Sequence, residues 1–288
     1  MRAARILTPP SAHNDDLTMP FITIGPGRIE YEQIWGGHSN SPPLVMLHEG
    51  LGSVSMWKDF PTQVAQVTGS NVTVYSRHGH GRSATLRAPR TVQYMHDEAL
   101  IVLPQFLDAL GLDNPILFGH SDGGSIALIH AGGSGRGVSG VVALAPHVFV
   151  EDLSVTNIGA AKLAYQNTNL RQRLQRYHDD VDGVFRGWNN IWLDPAFRAW
   201  NIEEYLPRIA CPVLALQGED DEYGSLEQIQ RIARSAPLAE SVSLAQCRHS
   251  PHRDQPHQVL GAIGRWMKDH FAAHQASDPA SVPGEEPR

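Results

Sequence analysis

The amino-acid sequence predicts an α/β fold: a mostly parallel sheet of eight strands, flanked by helices, with one helical insertion. Short apolar runs alternate with longer helical patterns along most of the 288 residues, which is typical of a parallel sheet covered on both faces. The interval 146–210 breaks this alternation, because it contains helical patterns and no convincing strand. Connections of this length in an α/β sheet are usually functional. We therefore expect a core formed by residues 19–145 and 211–271, and a helical lid formed by 146–210 over the carboxyl edge of the sheet.

Eight apolar runs account for the predicted strands. The first two, "FITIG" and "IEYEQIWG", are predicted to form a hairpin that turns at Gly25–Gly27. The six later runs are continuously apolar and rich in Val and Leu, as expected of strands buried on both faces. They are "PLVMLH" (43–48), "NVTVYS" (71–76), "PILFGH" (115–120), "GVVALA" (140–145), "CPVLALQG" (211–218) and "ESVSLA" (240–245).

Helical periodicity is clearest in three segments between or after these strands. Segment 95–111 has one apolar face and is closed by Gly111, while Pro104 within it is expected to kink the helix. Segments 225–236 and 256–271 show the same periodicity. Strands that alternate with such helices indicate a sheet with helices on both sides.

The composition limits the classes of partner. Lys and Arg number 23 against 30 Asp and Glu, and no basic cluster is dense enough to predict nucleic-acid binding. No apolar run has the length of a membrane span, and the N-terminus lacks the apolar core of a signal peptide, so a cytoplasmic location is expected. Segments 1–18 and 272–288 are rich in Pro, Ser, Ala and charge and are predicted to be flexible tails. We expect a small-molecule substrate, no membrane partner, and a monomer or homodimer.

The stretch "LFGHSDGGSIAL", residues 117–128, carries the chemistry. A strand delivers Ser121 into a tight turn and a helix begins at once, which is the Gly-x-Ser-x-Gly nucleophile elbow. Gly119 and Gly123 flank the serine, because the sharp turn brings strand and helix too close for side chains. A serine hydroxyl is a weak nucleophile alone and needs a base and an orienting acid.

Two later strand ends supply a base and an acid. The acidic run "EDDEYG" follows the strand at 211–218, and "QCRHSPHRDQP" follows the strand at 240–245. The resulting chain order of serine, acid and histidine is the order that this elbow predicts. Three such sites at three strand ends form a far more specific pattern than the elbow alone.

With these motifs, the chain over about residues 21–271 resembles the α/β-hydrolase-fold serine hydrolases. The matching pieces are "LHEGLGSVSMW", "YSRHGHGRS", "GHSDGG", "LQGEDDEYG" and "RHSPHRDQP". The resemblance implies that the acid is Asp221 rather than Asp220 or Glu219. It also implies that the histidine is His249 rather than His252.

The resemblance further implies an oxyanion hole made of two backbone N–H groups. They carry over to the N–H of Asp122, directly after the nucleophile, and to that of Leu51 in "EGLG". The sequence departs from the family pattern here, because Glu49 stands inserted between His48 and Gly50. The second donor could therefore be Gly50 instead.

The sequence allows two interpretations for each of several residues near these motifs. Asp122 suits the positive end of its helix, or contacts a substrate ammonium, as the match to amino-acid-ester hydrolases of the valacyclovir hydrolase type hints. Glu49 is either a second acid in the pocket or an anchor of its loop. Trp188 and Trp192, four apart on one helix face, either pack the lid or wall an apolar acyl pocket.

The expected function is that of a serine hydrolase that cleaves a carboxylic ester of a small, largely apolar substrate through an acyl-serine intermediate. No cofactor is expected, and no metal, because His78 and His80 have no third ligand near them in the sequence. One alternative is carbon–carbon hydrolysis of a meta-cleavage dienoate, a carboxylate that Arg77 or Arg82 could bind. The other alternative is a catalytically silent ligand receptor.

Overall fold

The computed structural model describes residues 20–25, 27–37 and 41–275, and its sheet contains the eight strands that the sequence predicts. The strands are β1 (Phe21–Ile24), β2 (Gly27–Ile34), β3 (Leu44–Leu47), β4 (Val72–Tyr75), β5 (Ile116–His120), β6 (Gly140–Leu144), β7 (Val213–Gly218) and β8 (Ala239–Leu244). Their order across the sheet is β1-β2-β4-β3-β5-β6-β7-β8. Strand β2 is antiparallel to β1 and to β4, and β3 to β8 are parallel to one another.

Helices connect the strands and cover both faces of the sheet. They are α1 (Phe60–Thr68), α2 (Tyr94–Asp97), α3 (Leu103–Leu110), α4 (Asp122–Gly133), α5 (Asp152–Asn167), α6 (Leu170–Leu174), α7 (Val181–Trp192), α8 (Glu227–Ser235), α9 (Pro251–Asp254) and α10 (Pro256–Gln275). Short 3-10 turns lie at Val54–Trp57, Pro195–Ala199 and Glu203–Arg208. In the part of the chain that the structure describes, no helix combines the length and apolar character needed to cross a bilayer.

The two predicted tails fall largely outside the described residues. Segment 1–18 and residues 276–288 are not among them. Helix α10 continues to Gln275, so it includes the first four residues of the predicted tail, 272–275.

The helix predicted over 95–111 is interrupted. Helix α2 is followed by a π-helical turn at Glu98–Val102, and α3 begins at Leu103 with Pro104 in its first turn. The N–H of Leu103 donates to the carbonyl of Glu98, five residues earlier. The expected kink at Pro104 is therefore a widened turn, which is how a helix accommodates a local mismatch without ending.

The core consists of two apolar layers, one on each face of the sheet. Within β3, Leu44 and Met46 contribute to one layer and Val45 and Leu47 to the other, because successive strand residues point to opposite faces. All residues of β3 to β7 are buried. This burial on both faces explains why these strands lack apolar–polar alternation in the sequence.

Segment 146–210, all of which the structure describes, contains helices α5, α6 and α7 and two of the 3-10 turns. It contains no strand, as its sequence predicts, apart from an isolated bridge between Phe149 and Asn201. Buried residues of this segment, among them Trp192 and Phe197, join the apolar layer that also contains Ile126 of α4. The segment is thus packed onto the core next to the helix that follows Ser121.

We expect the stability of the fold to depend on the absence of a side chain at Gly123. A Cβ there would clash with the carbonyl oxygen of Leu47, a backbone atom that cannot move away easily. Gly123→Ala should therefore lower the free energy of unfolding by about 3 kcal/mol, the upper end of the usual cost of overpacking. Gly159→Ala is the matched control: it lies in α5 with open space around its Cβ position and should raise that energy by up to about 1 kcal/mol. Urea unfolding of both variants measures the difference, and equal midpoints would contradict the close approach.

Candidate active site

The parallel register brings four loops to one edge of the sheet. Leu47 at the end of β3 pairs with Gly119 of β5, and Gly218 at the end of β7 pairs with Leu244 of β8. The loops that follow these strands therefore emerge side by side at the carboxyl edge. Ligands of open α/β sheets generally bind at this edge.

Ser121 lies in a strained turn between β5 and α4. Its backbone has φ 53° and ψ −118°, a conformation that costs an L-residue about 1–3 kcal/mol and is common at functional sites. A Cβ on Gly119 would clash with the carbonyl of Gly123, so the two glycines allow strand and helix to meet as the sequence predicts. The N–H of Ser121 donates to the carbonyl of Leu144 at 2.8 Å, which fixes the turn to the neighbouring strand.

Ser121, His249 and Asp221 form a continuous hydrogen-bonded chain. Nε2 of His249 is 2.9 Å from Oγ of Ser121. Nδ1 of the same ring is 2.9 and 3.0 Å from the two carboxylate oxygens of Asp221. The structure thus brings together the three side chains that the sequence singles out.

The alternative acids, Glu219 and Asp220, and the alternative histidine, His252, are not part of this hydrogen-bonded chain. Glu219 and Asp220 are exposed and their side chains do not contact His249. The ring of His252, in α9, packs against Trp57 and His120, with centroids 4.9 Å apart in each case. Among these alternatives the geometry therefore selects Asp221 and His249.

Two supporting residues of this chain are not evident from the sequence. Nε2 of His120 donates to the carbonyl of His249 at 2.7 Å, which ties the histidine loop to the strand that carries Ser121. Nε2 of Gln217 donates to Asp221 at 3.0 Å. Backbone N–H groups of Tyr223 and Gly224 also donate to this carboxylate. A carboxylate held by several donors is kept in one orientation and in its charged form.

The loop after β3 is held by histidines. Three consecutive carbonyls, at positions 49 to 51, each accept a hydrogen bond from an imidazole. The pairs are Glu49 with Nδ1 of His48 at 2.7 Å, Gly50 with Nε2 of His80 at 3.1 Å, and Leu51 with Nε2 of His178 at 2.8 Å. We call the three histidines, His48, His80 and His178, the histidine clamp. In a trans peptide the N–H points away from the carbonyl, so the N–H groups of this loop face away from the clamp.

Each ring of the clamp uses one nitrogen as donor and the other as acceptor. The other nitrogen of His178 accepts the N–H of Gly81 at 2.9 Å, and that of His48 accepts the N–H of Arg77 at 3.0 Å. This pattern requires a neutral imidazole. Burial, the largest cause, lowers the pKa of all three rings, so the charge state and the hydrogen bonds agree.

The two candidate second donors of the oxyanion hole differ in availability. The N–H of Leu51 donates to Oε2 of Glu49, the inserted residue. The N–H of Gly50 has no acceptor within the described part of the chain. The N–H of Asp122 belongs to the first residue of α4, a position without an intrahelical partner. Of the two options that the sequence leaves open, Gly50 is the one whose N–H is free in this structure.

A cavity of about 190 Å³ opens onto Ser121. The three residues predicted to shape a substrate pocket, Glu49, Trp188 and Trp192, all line it together with His249. The remaining apolar lining consists of Leu51, Met56, Ile158 and Leu174. A larger groove of about 360 Å³ lies on the other side of α7 and includes Arg90 and Arg186, but it shares no lining residue with the Ser121 cavity.

Asp122 does not reach this cavity. Its side chain is fully buried, accepts the hydroxyl of Tyr94 at 2.7 Å and lies 3.9 Å from Arg77. The interpretation of Asp122 as the contact for a substrate ammonium is therefore wrong. Arg77 donates to the carbonyl of Glu49 at 2.9 Å, and neither it nor Arg82 lines the cavity. The basic residue that a dienoate carboxylate would need is thus not supplied by either arginine.

A sequence profile of the Alpha/beta hydrolase family matches residues 44–262. The chain belongs to this family. It is a hydrolytic enzyme, and the family accounts for both the sheet order and the elbow. Within residues 20–25, 27–37 and 41–275, no three His, Cys, Asp or Glu side chains are grouped as metal ligands would be.

Several known proteins are similar to this hydrolase. The candidate carbamate hydrolase RutD of a Caulobacter species is 29% identical over 233 residues, which span 73% of this chain and 84% of RutD. The bifunctional esterase/perhydrolase DCH of Acinetobacter calcoaceticus is 26% identical over 265 residues, 81% of this chain and 93% of that enzyme. The crystal structure of proline iminopeptidase from Mycobacterium smegmatis has a TM-score of 0.72 at 18% identity, over 89% of this chain and 99% of that one. This last likeness shows the shared fold.

In this hydrolase, the charges around His249 favour its protonated form. Burial by itself would lower the pKa of His249, but the charge and hydrogen bond of Asp221 outweigh burial, with help from Glu222 and Glu49, and the pKa is raised. Burial would raise the pKa of Asp221, yet the His249 contact and the N–H of Tyr223 hold it below its usual value. An imidazole so placed can take up a proton and keep it next to the carboxylate.

The other rings near His249 stay neutral at neutral pH. Burial lowers the pKa of His147, whose ring centroid is 5.8 Å from that of His249, to about 4. Burial likewise lowers the pKa of His252 to about 3. These two rings therefore do not compete with His249 for a proton.

Asp221→Asn should lower the pKa of His249, because a neutral amide replaces the carboxylate that raises it. NMR titration of the His249 ring over roughly pH 4–9, which brackets the ordinary histidine range, measures the change. Asp108→Asn is the control, since Asp108 is exposed and paired with Arg136 on another part of the surface, and it should leave the His249 pKa unchanged. An unchanged His249 pKa in Asp221→Asn would contradict the pairing.

Proposed function

We propose that this hydrolase cleaves a carboxylic ester of a small, largely apolar substrate through an acyl-serine intermediate. The observation that carries the proposal is the hydrogen-bonded chain from Ser121 through His249 to Asp221. A serine hydroxyl 2.9 Å from an imidazole nitrogen has a base within reach, and the carboxylate behind the ring orients it.

In the first half of the reaction, Oγ of Ser121 attacks the ester carbonyl carbon while Nε2 of His249 takes the hydroxyl proton. Asp221 holds the ring by Nδ1 and stabilises the imidazolium that forms. As the carbonyl oxygen becomes negatively charged, it accepts hydrogen bonds from the N–H groups of Asp122 and Gly50. The tetrahedral intermediate collapses, the alkoxide leaves with the proton from His249, and the acyl group stays on Ser121.

In the second half, water attacks the acyl-serine while His249 takes one of its protons. The second tetrahedral intermediate collapses with return of that proton to Oγ of Ser121, which releases the carboxylic acid. Every proton in both halves is carried by His249, and the balance requires no cofactor.

The cavity supports a small and largely apolar acyl group. Its volume of about 190 Å³ is small, and its lining includes four aliphatic side chains and three aromatic ones: Leu51, Met56, Ile158, Leu174, Trp188, Trp192 and Tyr223. RutD and DCH are named for hydrolysis of a carbamate and of an ester, both of which have an acyl carbon bonded to a heteroatom leaving group. Similarity to these two proteins supports ester chemistry.

Segment 146–210 fits the role of a lid in this proposal. Ile158, Leu174, Trp188 and Trp192 all come from it and line the cavity that contains Ser121. A cover of this kind excludes bulk water and sets the shape of the acyl site. Carbon–carbon cleavage of a dienoate gains no comparable support, since neither Arg77 nor Arg82 lines the cavity.

Ser121→Ala should reduce turnover of p-nitrophenyl acetate and butyrate by roughly 10⁵- to 10⁶-fold, because the nucleophile is lost. The same variant should no longer be labelled by a fluorophosphonate. Ser134→Ala is the control and should retain both activity and labelling, because Ser134 is a half-buried serine at the end of α4 whose Oγ accepts only the N–H of Arg136 among the described residues. Unchanged turnover in Ser121→Ala would exclude the acyl-serine mechanism, and a wild-type enzyme that neither hydrolyses esters nor reacts with the probe would favour the silent receptor.

Leu174→Ala should shift the acyl preference toward longer chains. Leu174 belongs to α6 and lines the cavity, so its truncation makes room for about two further methylenes. At about 0.8 kcal/mol for each buried CH₂, the ratio of kcat/KM for hexanoate to that for acetate should rise on the order of tenfold. Leu163→Ala, at an exposed leucine of the same segment, should leave the ratio unchanged. Equal ratios in both variants would argue against an acyl site bounded by this segment.

A further inference from the structure

The Ser121 cavity contains a carboxyl group that is not part of the hydrogen-bonded chain of Ser121, His249 and Asp221, which we call the relay. Glu49 lines the cavity together with Ser121 and His249. Its Oε2 accepts the N–H of Leu51, while Oε1 has no hydrogen-bond partner and the side chain has no ion pair among the described residues. The guanidinium of Arg77 binds the main-chain carbonyl of Glu49 and not its carboxylate. Arg253 and Arg77 lie near enough for their charges to lower the pKa of Glu49, but neither pairs with Oε1. The cavity therefore presents one carboxylate oxygen without a hydrogen-bond partner among the described residues.

A carboxylate at this position has two opposite effects on the proposed chemistry, because its charge raises the pKa of His249 but is unfavourable next to a developing oxyanion. The oxyanion of the tetrahedral intermediate would be held by the N–H of Gly50, the residue directly after Glu49. A negative charge on the Glu49 side chain, which lines the same cavity, would repel the charge that develops on this oxyanion. Burial, the largest cause, raises the pKa of Glu49, in line with this unfavourable placement, although the N–H of Leu51 and the charges of Arg253 and Arg77 act in the opposite direction. A substrate that brings its own positive charge next to the scissile carbonyl would remove the repulsion.

We propose that Glu49 is the specificity-determining residue of this cavity and binds a protonated amino group next to the scissile carbonyl. The preferred substrates are then esters of small α-amino acids. This inference rests on the proposed ester hydrolysis and names its substrate class.

The geometry of the loop fits such a substrate. In an α-amino ester the ammonium and the carbonyl oxygen are attached to adjacent carbons, so their binding groups must also be close neighbours. Glu49 and Gly50 are consecutive residues, and the histidine clamp fixes the carbonyls of both. Asp122, the other acid near Ser121, is fully buried and already accepts the hydroxyl of Tyr94. The apolar remainder of the cavity, about 190 Å³ in all, suits a small amino-acid side chain.

The test compares methyl esters of alanine, lactic acid and propionic acid. Their acyl groups have nearly the same shape and carry an ammonium, a hydroxyl or a hydrogen at the same carbon. Release of the acid, measured by chromatography, gives kcat/KM for each ester. We expect the wild-type enzyme to prefer the alanine ester over the propionate ester by roughly 10- to 100-fold, the range of a hydrogen bond to a charged group.

Glu49→Gln keeps an oxygen for the N–H of Leu51 and removes only the charge, so the loop should stay folded. The alanine-to-propionate ratio should fall at least tenfold, because only the alanine ester loses a charged partner, whereas the loss of the Glu49 charge near His249 affects both esters. Glu222→Gln is the matched control. Glu222 accepts the N–H of His249 and its charge also raises the His249 pKa, but it does not line the cavity. It should change the rates for both esters together and leave their ratio as in the wild type.

A pH series on the wild-type enzyme provides a test without any substitution. Titration of His249 affects all three esters alike and cancels in the ratio. Glu49, whose charged and titratable neighbours are Arg253, Arg77, Asp122, Tyr223 and His249, must also be ionised, so the alanine-to-propionate ratio should fall toward acid pH as Glu49 takes up a proton. On the alkaline side the ratio should fall as the substrate amine loses its proton, around the usual α-amino range of about 7.7–8.0. A ratio that is independent of pH would contradict the charge pairing.

The outcomes separate the two proposals. Ser121-dependent turnover of the propionate ester with the same ratio in wild type and Glu49→Gln overturns the role of Glu49 and leaves the esterase proposal intact. A lactate ester as good as the alanine ester overturns recognition of charge. Failure of the wild-type enzyme to hydrolyse the three methyl esters overturns the role of Glu49 if the p-nitrophenyl esters are still cleaved, and overturns both proposals if they are not.

Discussion

The close approach of three backbone segments at the carboxyl edge is the constraint on which the rest of the structure depends. The first turn of α4 lies directly against the last carbonyl of β3, with Gly123 at the contact, and against β5 at Gly119. This proximity places Ser121, the N–H of Asp122 and the loop after β3 within one small volume. It is possible only without side chains at the two glycines, and the strained backbone of Ser121 is its local cost.

Around this contact, charge is distributed unevenly. Asp221 is surrounded by donors and paired with His249, so its negative charge stabilises the relay. Glu49 accepts one N–H and has a second oxygen without a partner, so its charge acts on whatever enters the cavity. Of the two carboxylates near His249, that of Asp221 has hydrogen-bond donors on both oxygens, whereas that of Glu49 has a donor on only one. This difference in hydrogen bonding, rather than the residue type, separates their roles.

Apolar runs and a serine between glycines were sufficient to predict the sheet and the elbow. The polar residues at the strand ends predicted an acid and a histidine, but the choice of Asp221 and His249 among them came from the family resemblance. The sequence could not reveal groups whose partners come from distant parts of the chain. His178 forms hydrogen bonds with Leu51 and Gly81, which are distant in the sequence. In the sequence, His80 could be taken for a metal ligand together with His78, but in the structure it donates to the carbonyl of Gly50. The engagement of the Leu51 N–H by Glu49 and the buried orientation of Asp122 were hidden for the same reason.

His178 has a consequence for exchange of the 146–210 segment between members of the family. Its two ring nitrogens join this segment to two separate loops of the core, as donor to one and acceptor from the other. A transplanted segment without an equivalent side chain would leave a buried amide and a buried carbonyl without partners, which is costly. Chimaeras that retain imidazole at this position, or an amide side chain with the same pair of functions, therefore start with a catalytic loop already in place, and others must rebuild it.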